Sequence, residues 1–328
     1  MLYRSAANSL VASIIFMLAA NTPSTSSGAK PDKPLRVYIL AGQSNMQGQG
    51  VVDLDHPEHY NGGQGILARV MLEPRNRAKF KHIKDSRGNW VVRNDVWCRY
   101  QTDKELKKGP LTIGFTGYPG KHHIGPEFQF GHVIGDATDT PVLLIKTAWG
   151  GKSLYKDFRP PSSGGETGPY YTRMIAEVRE ALAALRTDFP AIRSRRYQLS
   201  GFVWFQGWND IFGPPDERDQ YSKHLVNLIN DVRKEFDRPA LPVVIGELGN
   251  LGDAAGKNLV AIRQQQQTAA QHPSFEGTVV FVKTSQFARP KEKSPNVGHG
   301  HHWFGNAESY FLIGDALGRA MLKLHAGN

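Results

Sequence analysis

A strand that stops at a glycine and is followed at once by a serine constrains this chain most. Residues 37–41 form an apolar run that includes β-branched side chains, and the run ends at Gly42. Ser44 follows, between the amides Gln43 and Asn45. Ligands of open α/β sheets bind beyond the carboxyl ends of the strands, so Ser44 lies where a nucleophile would be placed. The competing interpretation is a helix cap, a common role for serine.

Alternating strand and helix patterns along the rest of the chain predict the fold class. Residues 170–186 and 221–236 carry apolar side chains at helical spacing, whereas residues 241–246 and 278–282 are short apolar runs typical of buried strands. This alternation predicts βαβ units around a central parallel sheet, in a three-layer α/β/α sandwich. Residues 52–126 are polar with little periodicity and are predicted to be loops over the catalytic edge.

The amino terminus predicts export. Residues 1–20 carry one basic side chain, Arg4, and then an apolar stretch that ends in small residues, which is typical of a signal peptide. We therefore expect a secreted or periplasmic protein without a membrane span. Residues 21–34 read as a Ser/Thr/Pro linker, and residues 35–326 as a single domain. Cys98 is the only cysteine, so the fold has no intramolecular disulfide and depends on its core.

The charge balance says little about function. The formal net charge is +10, but lysine and arginine are interspersed with acids. A solvated basic surface is the main interpretation, with attraction for an acidic polysaccharide as the alternative. The sequence contains no nucleic-acid-binding motif, and we expect no nucleic acid partner. The oligomeric state is left open.

Four blocks of sequence carry a resemblance to a known family. The string GQSNM resembles the nucleophile block of the SGNH hydrolases, in particular the branch of sialate O-acetylesterase-like proteins and carbohydrate esterase family six. Three further blocks recur in the family's order between residues 35 and 321: PVLLIKTAWGGKSL at 141–154, GFVWFQGWND at 201–210, and a histidine block at 298–321. The resemblance implies an SGNH-hydrolase, flavodoxin-like fold and a serine esterase that removes O-acetyl groups from carbohydrate, without a cofactor.

The resemblance also implies the two principal catalytic residues. Ser44 would be the nucleophile and His302 its base, because a serine esterase needs a base within hydrogen-bond reach of the hydroxyl. In the family the base precedes an aromatic residue and then a helix carrying Tyr and Gly, which fits His302. His299 and His301 remain alternatives.

The acid of the triad is where the sequence departs from its relatives. Many members place an aspartate shortly before the histidine, but residues 296–300 contain no carboxylate. Others have a glutamate in the third block, at the position that Trp208 occupies here. Asp210 is the first choice for the acid and Glu127 the second, while a Ser-His dyad without an acid is the alternative. Asp210 could equally be a turn residue.

Backbone and side-chain amides near the serine are predicted to form an oxyanion hole. The resemblance implies donation by the backbone N–H groups of Ser44 and Gly151 and by the side chain of Asn209 or Gln206. Glycine suits this role because the missing Cβ lets the backbone approach a substrate. Each correctly placed donor contributes roughly 3 kcal/mol of transition-state stabilisation.

Four residues are predicted to bind substrate: Gln43, Glu127, Trp208 and Trp303, the two tryptophans by stacking on sugar. The three histidines between 299 and 302 raise the question of a metal. We predict none, because neither cysteine ligands nor an H-E-x-x-H helix accompanies them.

The leading hypothesis is an exported esterase acting on acetylated carbohydrate of the acetylxylan or sialate type. A lipase or thioesterase of the same fold is one alternative, disfavoured by the polar loops. A catalytically silent carbohydrate-binding protein is the other, and the missing acid before His302 keeps it open.

Overall fold

Nine strands are present in the computed structural model, which describes residues 33–192 and 196–327. The predicted signal peptide, 1–20, and all but the last two residues of the predicted linker lie outside the described residues. The strands are β1 (Leu35–Gly42), β2 (Gly50–Val51), β3 (Val96–Gln101), β4 (Leu106–Pro110), β5 (His123–Ile124), β6 (Val142–Ala148), β7 (Tyr197–Phe205), β8 (Val243–Gly246) and β9 (Val279–Val282).

Seven of these strands form one sheet in the order β4-β3-β6-β1-β7-β8-β9, and β2 and β5 pair separately. Every pair in the large sheet is parallel except β3 with β4, which is antiparallel. The prediction of an α/β fold around a central parallel sheet is therefore confirmed, with one antiparallel strand added at an edge.

Ten α-helices accompany the sheet in the described part of the chain. They are α1 (Ser44–Gln47), α2 (Leu67–Val70), α3 (Arg77–Phe80), α4 (Pro126–Asp136), α5 (Pro169–Ala183), α6 (Leu185–Asp188), α7 (Pro215–Asp219), α8 (Tyr221–Glu235), α9 (Lys257–Ala270) and α10 (Ala307–Ala326). None of the helices described here is both long and apolar enough to cross a bilayer.

Two hydrophobic clusters, one on each face of the sheet, produce the three layers. Side chains of a strand alternate between its faces, and β1 follows this rule: Val37 and Ile39 join the cluster that contains α5, α8 and α9. Tyr38 and Leu40 join the other cluster, with α4 and α10. Both faces of β1 are covered, which explains why its sequence reads as a continuous apolar run.

The segment 52–126 differs from its prediction as loops. It contains β3, an inner strand of the sheet, and the edge strand β4. The guanidinium of Arg99 on β3 is buried and donates to Asp188 at 3.0 Å and to Glu180 at 2.6 Å. These two acids come from α6 and α5, so distant partners permit a charged side chain inside a strand.

The order of the strands gathers the sequence blocks at one edge. Strand β1 lies between β6 and β7, so the residues that follow these three strands meet at the same rim. After β1 the chain builds β3, β4 and β6 on one side of that strand and then β7, β8 and β9 on the other, which makes this rim the switch point of the sheet.

Candidate active site

Ser44 is the first residue of α1, in a turn that the end of β1 fixes closely. A Cβ placed on Gly42 would lie 2.1 Å from the carbonyl oxygen of Phe205 on β7, so only glycine fits there. The backbone N–H of Gln43 donates to that same carbonyl oxygen at 3.4 Å. Ser44 is 6% exposed. The turn that carries Ser44 is therefore held against β7 by backbone contacts.

The glycine block after β6 lies against this serine. A Cβ placed on Gly150 would be 3.8 Å from the Cβ of Ser44, and the N–H of Trp149 donates to the carbonyl of Gly42 at 3.3 Å. Gly151 has a φ of 72°, in the left-handed region that favours glycine, and a Cβ placed on it would meet no other atom within 4 Å. Gly151 therefore stands at the rim beside Ser44.

The side chain of Gln43 joins the ends of β1 and β7. Its Oε1 accepts from the backbone N–H groups of Gly207 at 3.1 Å and Asn209 at 3.3 Å, and from Nε2 of Gln206 at 3.2 Å. Its Nε2 donates to Oδ1 of Asn209 at 3.0 Å. The carbonyl of the Asn209 amide is thereby fixed, and Nδ2 of Asn209 has no hydrogen-bond partner among the described residues.

Asn209 and Gln206 are the two predicted amide donors to an oxyanion, and they differ in whether their side-chain N–H groups are free. Nε2 of Gln206 donates to Oε1 of Gln43, to the carbonyl of Lys152 at 2.9 Å and to Asp210 at 2.6 Å. Its amide hydrogens are thus committed inside the protein. Of the two alternatives left open by the sequence, the geometry favours Asn209.

The carboxylate of Asp210 forms hydrogen bonds with the loop that follows the glycine block. Its carboxylate accepts from the backbone N–H of Leu154 at 2.9 and 3.0 Å, from that of Tyr155 at 3.1 Å and from Gln206. Burial raises the pKa of Asp210 to about 6, against the lowering effect of these hydrogen bonds. None of its hydrogen bonds within the described chain reaches His302, in contrast to the triad role predicted for it.

The histidine block forms a turn of 3₁₀ character over Gly300–Gly305. The ring of His302 lies 3.9 Å from that of His301 and 6.1 Å from that of His299, measured between centroids. Burial, followed by the charges of His301 and His299, lowers the pKa of His302 to about 3. His302 is therefore neutral at physiological pH, as a general base must be.

The imidazole of His302 makes no hydrogen bond to a described residue. Its Nδ1 is buried without a partner, and no hydrogen bond joins the ring to Ser44 or to a carboxylate in the described chain. Catalytic hydrogen bonds of substrate-free enzymes are often long and tighten only in the complex.

A polar network that the sequence patterns did not reveal connects the serine and histidine turns. Nδ2 of Asn45 donates to Oδ1 of Asn250 at 3.1 Å, and Nδ2 of Asn250 donates to the carbonyl of His301 at 2.9 Å. The hydroxyl of Tyr310 contacts both Oδ1 of Asn45 at 3.2 Å and the carbonyl of His302 at 3.3 Å. Asn45 lies inside the GQSNM string and Asn250 follows β8, and no local pattern marks them as a pair.

Three of the four predicted substrate contacts have almost no exposed surface. Gln43 is 1% exposed, Glu127 0% and Trp303 2%. Glu127 pairs with Lys146 at 2.7 Å, so it is available neither to a sugar nor as the second-choice acid. Trp303 packs into the hydrophobic cluster on the α10 face. The structure places these three side chains in the interior, where aromatic and amide residues also close a core, and their contact with substrate stays a prediction.

Trp208 is partly exposed and lies between two other rings. Its centroid is 5.8 Å from His301 and 6.4 Å from Phe212, which is 71% exposed. The three rings form an aromatic wall beside the histidine turn, so Trp208 stands where a sugar could stack.

Within the described residues, one group of side chains has metal-ligand spacing: His56, Glu58 and His59, all exposed. Nδ1 of His56 already accepts from the backbone N–H groups of Glu58 and His59. The three histidines of the active-site turn do not belong to this group.

Comparison with known proteins gives the family of this chain. The family model for carbohydrate esterases described as sialic acid-specific acetylesterases matches residues 34–323. The chain belongs to this family. It is therefore a carbohydrate esterase, a carboxylic ester hydrolase, with the SGNH-like α/β fold, as the sequence predicts.

Relatives of this carbohydrate esterase are distant in sequence. A probable carbohydrate esterase of Arabidopsis thaliana is 25% identical over 219 residues, which cover 65% of this chain and 69% of the relative. Among solved structures, NanS superposes with a TM-score of 0.56 at 12% identity, covering 90% of this chain and 99% of NanS. A carbohydrate acetylesterase of Xanthomonas citri gives 0.52 at 14% identity, covering 89% of this chain and 56% of that protein. The structural likeness shows a shared fold.

Proposed function

We propose that this carbohydrate esterase is an exported O-acetylesterase in which Ser44 and His302 act as a dyad on acetylated carbohydrate. The hydroxyl of Tyr310, which contacts both Asn45 and the carbonyl of His302, carries the proposal, since it connects the serine turn with the histidine turn. Residues 35–326 would form a single esterase domain behind a signal peptide.

In this mechanism Oγ of Ser44 attacks the acetyl carbonyl carbon while the neutral imidazole of His302 accepts the hydroxyl proton. The carbonyl π electrons move to the oxygen, and the tetrahedral intermediate then collapses. The C–O bond to the sugar breaks, and the leaving oxygen takes the proton from His302. A water molecule, deprotonated by His302, attacks the carbonyl carbon of the acetyl-serine. The C–O bond to Oγ of Ser44 then breaks, Oγ takes the proton back from His302, and acetate is released.

Three donors would stabilise the oxyanion: the backbone N–H groups of Ser44 and Gly151 and Nδ2 of Asn209. Gln43 supports the third, because it holds Oδ1 of Asn209 and so sets the direction of its NH₂ group. Preorganised donors of this kind need no rearrangement during the reaction, which is why each one is worth several kcal/mol.

Asp210 would act on the oxyanion hole rather than on the base. Its carboxylate holds the backbone of Leu154 and Tyr155, a few residues after Gly151, and the side chain of Gln206. A fixed loop keeps the Gly151 N–H aimed at one point. The orienting acid of a triad is absent from this proposal.

Acetylxylan and acetylated sialic acid are the substrate types that the proposal includes. The aromatic wall of Trp208, His301 and Phe212 offers a stacking surface for a pyranose ring. A lipase-like substrate is disfavoured because the loops at this rim are largely polar.

One observation favours a second function, a catalytically silent carbohydrate-binding protein. No hydrogen bond links His302 to Ser44 or to an acid within the described chain, so the hydroxyl would stay inactive unless substrate brings the groups together. Labelling of Ser44 by a serine-reactive phosphonate separates the two functions, because only an activated hydroxyl reacts.

The decisive experiment measures acetate release from 4-nitrophenyl acetate, acetylated xylan and O-acetylated sialic acid. Wild type is compared with Ser44→Ala and His302→Ala, each of which we expect to lose about a thousandfold or more in kcat. Ser200→Ala and His325→Ala are matched controls outside the site, and both should keep wild-type rates. Wild-type activity no higher than that of Ser44→Ala on every ester would reject the esterase mechanism in favour of the binding protein.

A further inference from the structure

The turn that carries His302 is held by its backbone rather than by its imidazole. Nδ2 of Asn250 donates to the carbonyls of Gly300 at 3.3 Å and His301 at 2.9 Å. The hydroxyl of Tyr310 shares its one hydrogen between the carbonyl of His302 at 3.3 Å and Oδ1 of Asn45 at 3.2 Å. Three successive carbonyls are thus fixed by two side chains from outside the turn. Asn250 and Tyr310 are both 0% exposed, so water does not compete for these bonds.

The backbone directly after His302 is strained. Trp303 has a φ of 55° and Phe304 one of 53°, and both are bulky side chains in the left-handed region. Such strain persists only where surrounding contacts impose it, and it is concentrated at functional sites. Here the contacts include the N–H of Phe304, which donates to the carbonyl of His299 at 2.9 Å.

The same side chains also reach the serine turn. Asn45, the residue after Ser44, donates to Oδ1 of Asn250 at 3.1 Å and accepts from the hydroxyl of Tyr310 at 3.2 Å. Both polar atoms of the Asn45 amide are therefore used to connect the two turns. An asparagine that served only to cap α1 would bond to its own helix.

Asn250 is itself anchored. The guanidinium of Arg263 donates to the backbone carbonyls of Asn250 at 2.9 Å and Leu248 at 2.8 Å. Glu247 accepts from the N–H groups of Thr284 and Ser285, each at 2.7 Å, and lies 4.0 Å from Arg263. The loop from Glu247 to Asn250 is therefore fixed at both ends. This allows Asn250 to place the His302 turn precisely.

We propose that Asn45, Asn250 and Tyr310 are positioning residues that hold the His302 turn against the Ser44 turn, and so replace the carboxylate that orients the base in related esterases. The inference rests on the proposed esterase function. In a Ser-His-Asp triad the acid holds the ring through Nδ1. In this protein the backbone of His302 is held instead, and the position of the backbone determines the position of the imidazole ring.

A purely structural role would have different consequences. If these side chains only filled the core, their loss would lower stability and leave the chemistry of the folded protein unchanged. If they position His302, their loss lowers kcat in protein that is still folded, because a displacement of about 1 Å at a reacting group costs up to about a hundredfold in rate. Substrate binding does not involve these buried side chains, so KM should stay constant.

The test compares Tyr310→Phe with Tyr38→Phe. Tyr38 is a matched control, since it is also 0% exposed and its hydroxyl also has a hydrogen-bond partner, the ring of His325 on α10, at 3.2 Å. We expect Tyr310→Phe to lower kcat and the rate of phosphonate labelling of Ser44 about tenfold to a hundredfold, with KM within twofold of wild type. Tyr38→Phe should change neither rate. Asn250→Ala provides the second measurement wherever circular dichroism shows that it folds.

The outcomes distinguish failure of the proposed positioning role from failure of the proposed esterase function. Wild-type kcat and labelling in folded Tyr310→Phe would overturn the network, and so would an equal loss in Tyr38→Phe. A wild-type protein that releases no acetate and resists labelling would instead overturn the esterase function on which the network rests.

Discussion

Lys146 and Glu127 form an ion pair of 2.7 Å in which both side chains are 0% exposed. The ammonium of Lys146 also donates to the carbonyls of Gln47, the last residue of α1, at 2.8 Å and of Phe115 at 2.7 Å. Oε1 of Glu127 accepts from the N–H of Gly125 at 3.0 Å. A buried charge pair therefore supports the far end of the short helix that begins with Ser44.

Breaking this ion pair should destabilise the protein strongly. Lys146→Met leaves the carboxylate of Glu127 buried without its partner, and we expect the free energy of unfolding to fall by about 3–5 kcal/mol. The double variant Lys146→Met/Glu127→Met should recover part of that loss, since no buried charge remains. Urea denaturation measures both.

Arg319→Met is the control for the ion pair, because Arg319 pairs with Asp315 at 2.7 Å on the surface, where its side chain is 67% exposed. That variant should lose at most about 1 kcal/mol. Equal losses in Lys146→Met and Arg319→Met would show that the buried pair contributes no more than a surface pair.

Replacing Asp210 tests whether it is the acid of a triad. In Asp210→Asn an NH₂ group would face the N–H donors of Leu154 or the amide of Gln206, so we expect a loss of about 1–3 kcal/mol in the free energy of unfolding. We expect kcat to fall about tenfold to a hundredfold, as the loop after Gly151 loosens. Loss of a true triad acid costs about ten-thousandfold with the geometry intact.

Asp231→Asn is the matched control for Asp210, since Asp231 also accepts from a backbone N–H, that of Ser162 at 2.9 Å, but at an exposed site. It should alter neither kcat nor the urea midpoint appreciably. A ten-thousandfold loss in Asp210→Asn at unchanged stability would restore Asp210 as the orienting acid.

The sequence predicts the layers well because each segment carries its own signal. The helices expected at 170–186 and 221–236 correspond to α5 and α8, and the strand expected at 278–282 corresponds to β9. Strand β3 escapes the same reasoning because it contains Arg99, whose partners Glu180 and Asp188 lie more than 80 residues away. No local pattern shows that a buried charge will find a partner so far along the chain.

In the candidate active site, too, the sequence predicts what local patterns determine and misses contacts between residues far apart in the chain. Ser44, Gly151 and Asn209 follow β1, β6 and β7, and three neighbouring parallel strands necessarily bring their carboxyl ends together. By contrast, the contact of Asn45 with Asn250 spans 205 positions, and that of Lys146 with Glu127 joins a strand to a helix. The sequence therefore does not show that Gln43 and Glu127 have hydrogen-bond and ion-pair partners inside the protein.

Removing the side chain of Asn209 should impair catalysis more than binding. Asn209→Ala eliminates one of three proposed oxyanion donors, and we expect kcat to fall about a hundredfold to a thousandfold with little change in KM. The control is Asn227→Ala, whose amide donates to Oγ of Ser163 at 3.0 Å away from this rim. A loss that appears mainly in KM would mean that Asn209 binds substrate in its ground state.

The pH dependence of kcat/KM should reflect a base that stays neutral in acid. Since burial lowers the pKa of His302 to about 3, its imidazole stays neutral throughout pH 5–8. An ordinary histidine would lose activity as the pH falls through about 6.5. Any fall near pH 6 should come from Asp210, whose pKa burial raises to about 6, and should vanish in Asp210→Asn. An acid limb at 6–7 that persists in this variant would show that His302 titrates normally.

Stability should fall in acid, in part because of His123. This histidine is 8% exposed and stacks on Tyr118 with ring centroids 4.3 Å apart, and burial lowers its pKa to about 4. Between pH 6.5 and 4 the unfolded chain binds a proton that the folded state does not, so the free energy of unfolding decreases as the pH falls through this window. His123→Phe keeps the stacked ring without the titration, and should lose less stability than wild type between pH 7 and 4, by on the order of 2 kcal/mol. Glu177, whose pKa burial raises to about 7, acts in the opposite direction in both proteins and cancels in the comparison. His59→Phe is the control, because His59 is exposed, and it should leave the pH dependence of the free energy of unfolding as in wild type. Parallel plots of the free energy of unfolding against pH for wild type and His123→Phe would show that His123 is protonated as readily in the folded protein as in the unfolded chain.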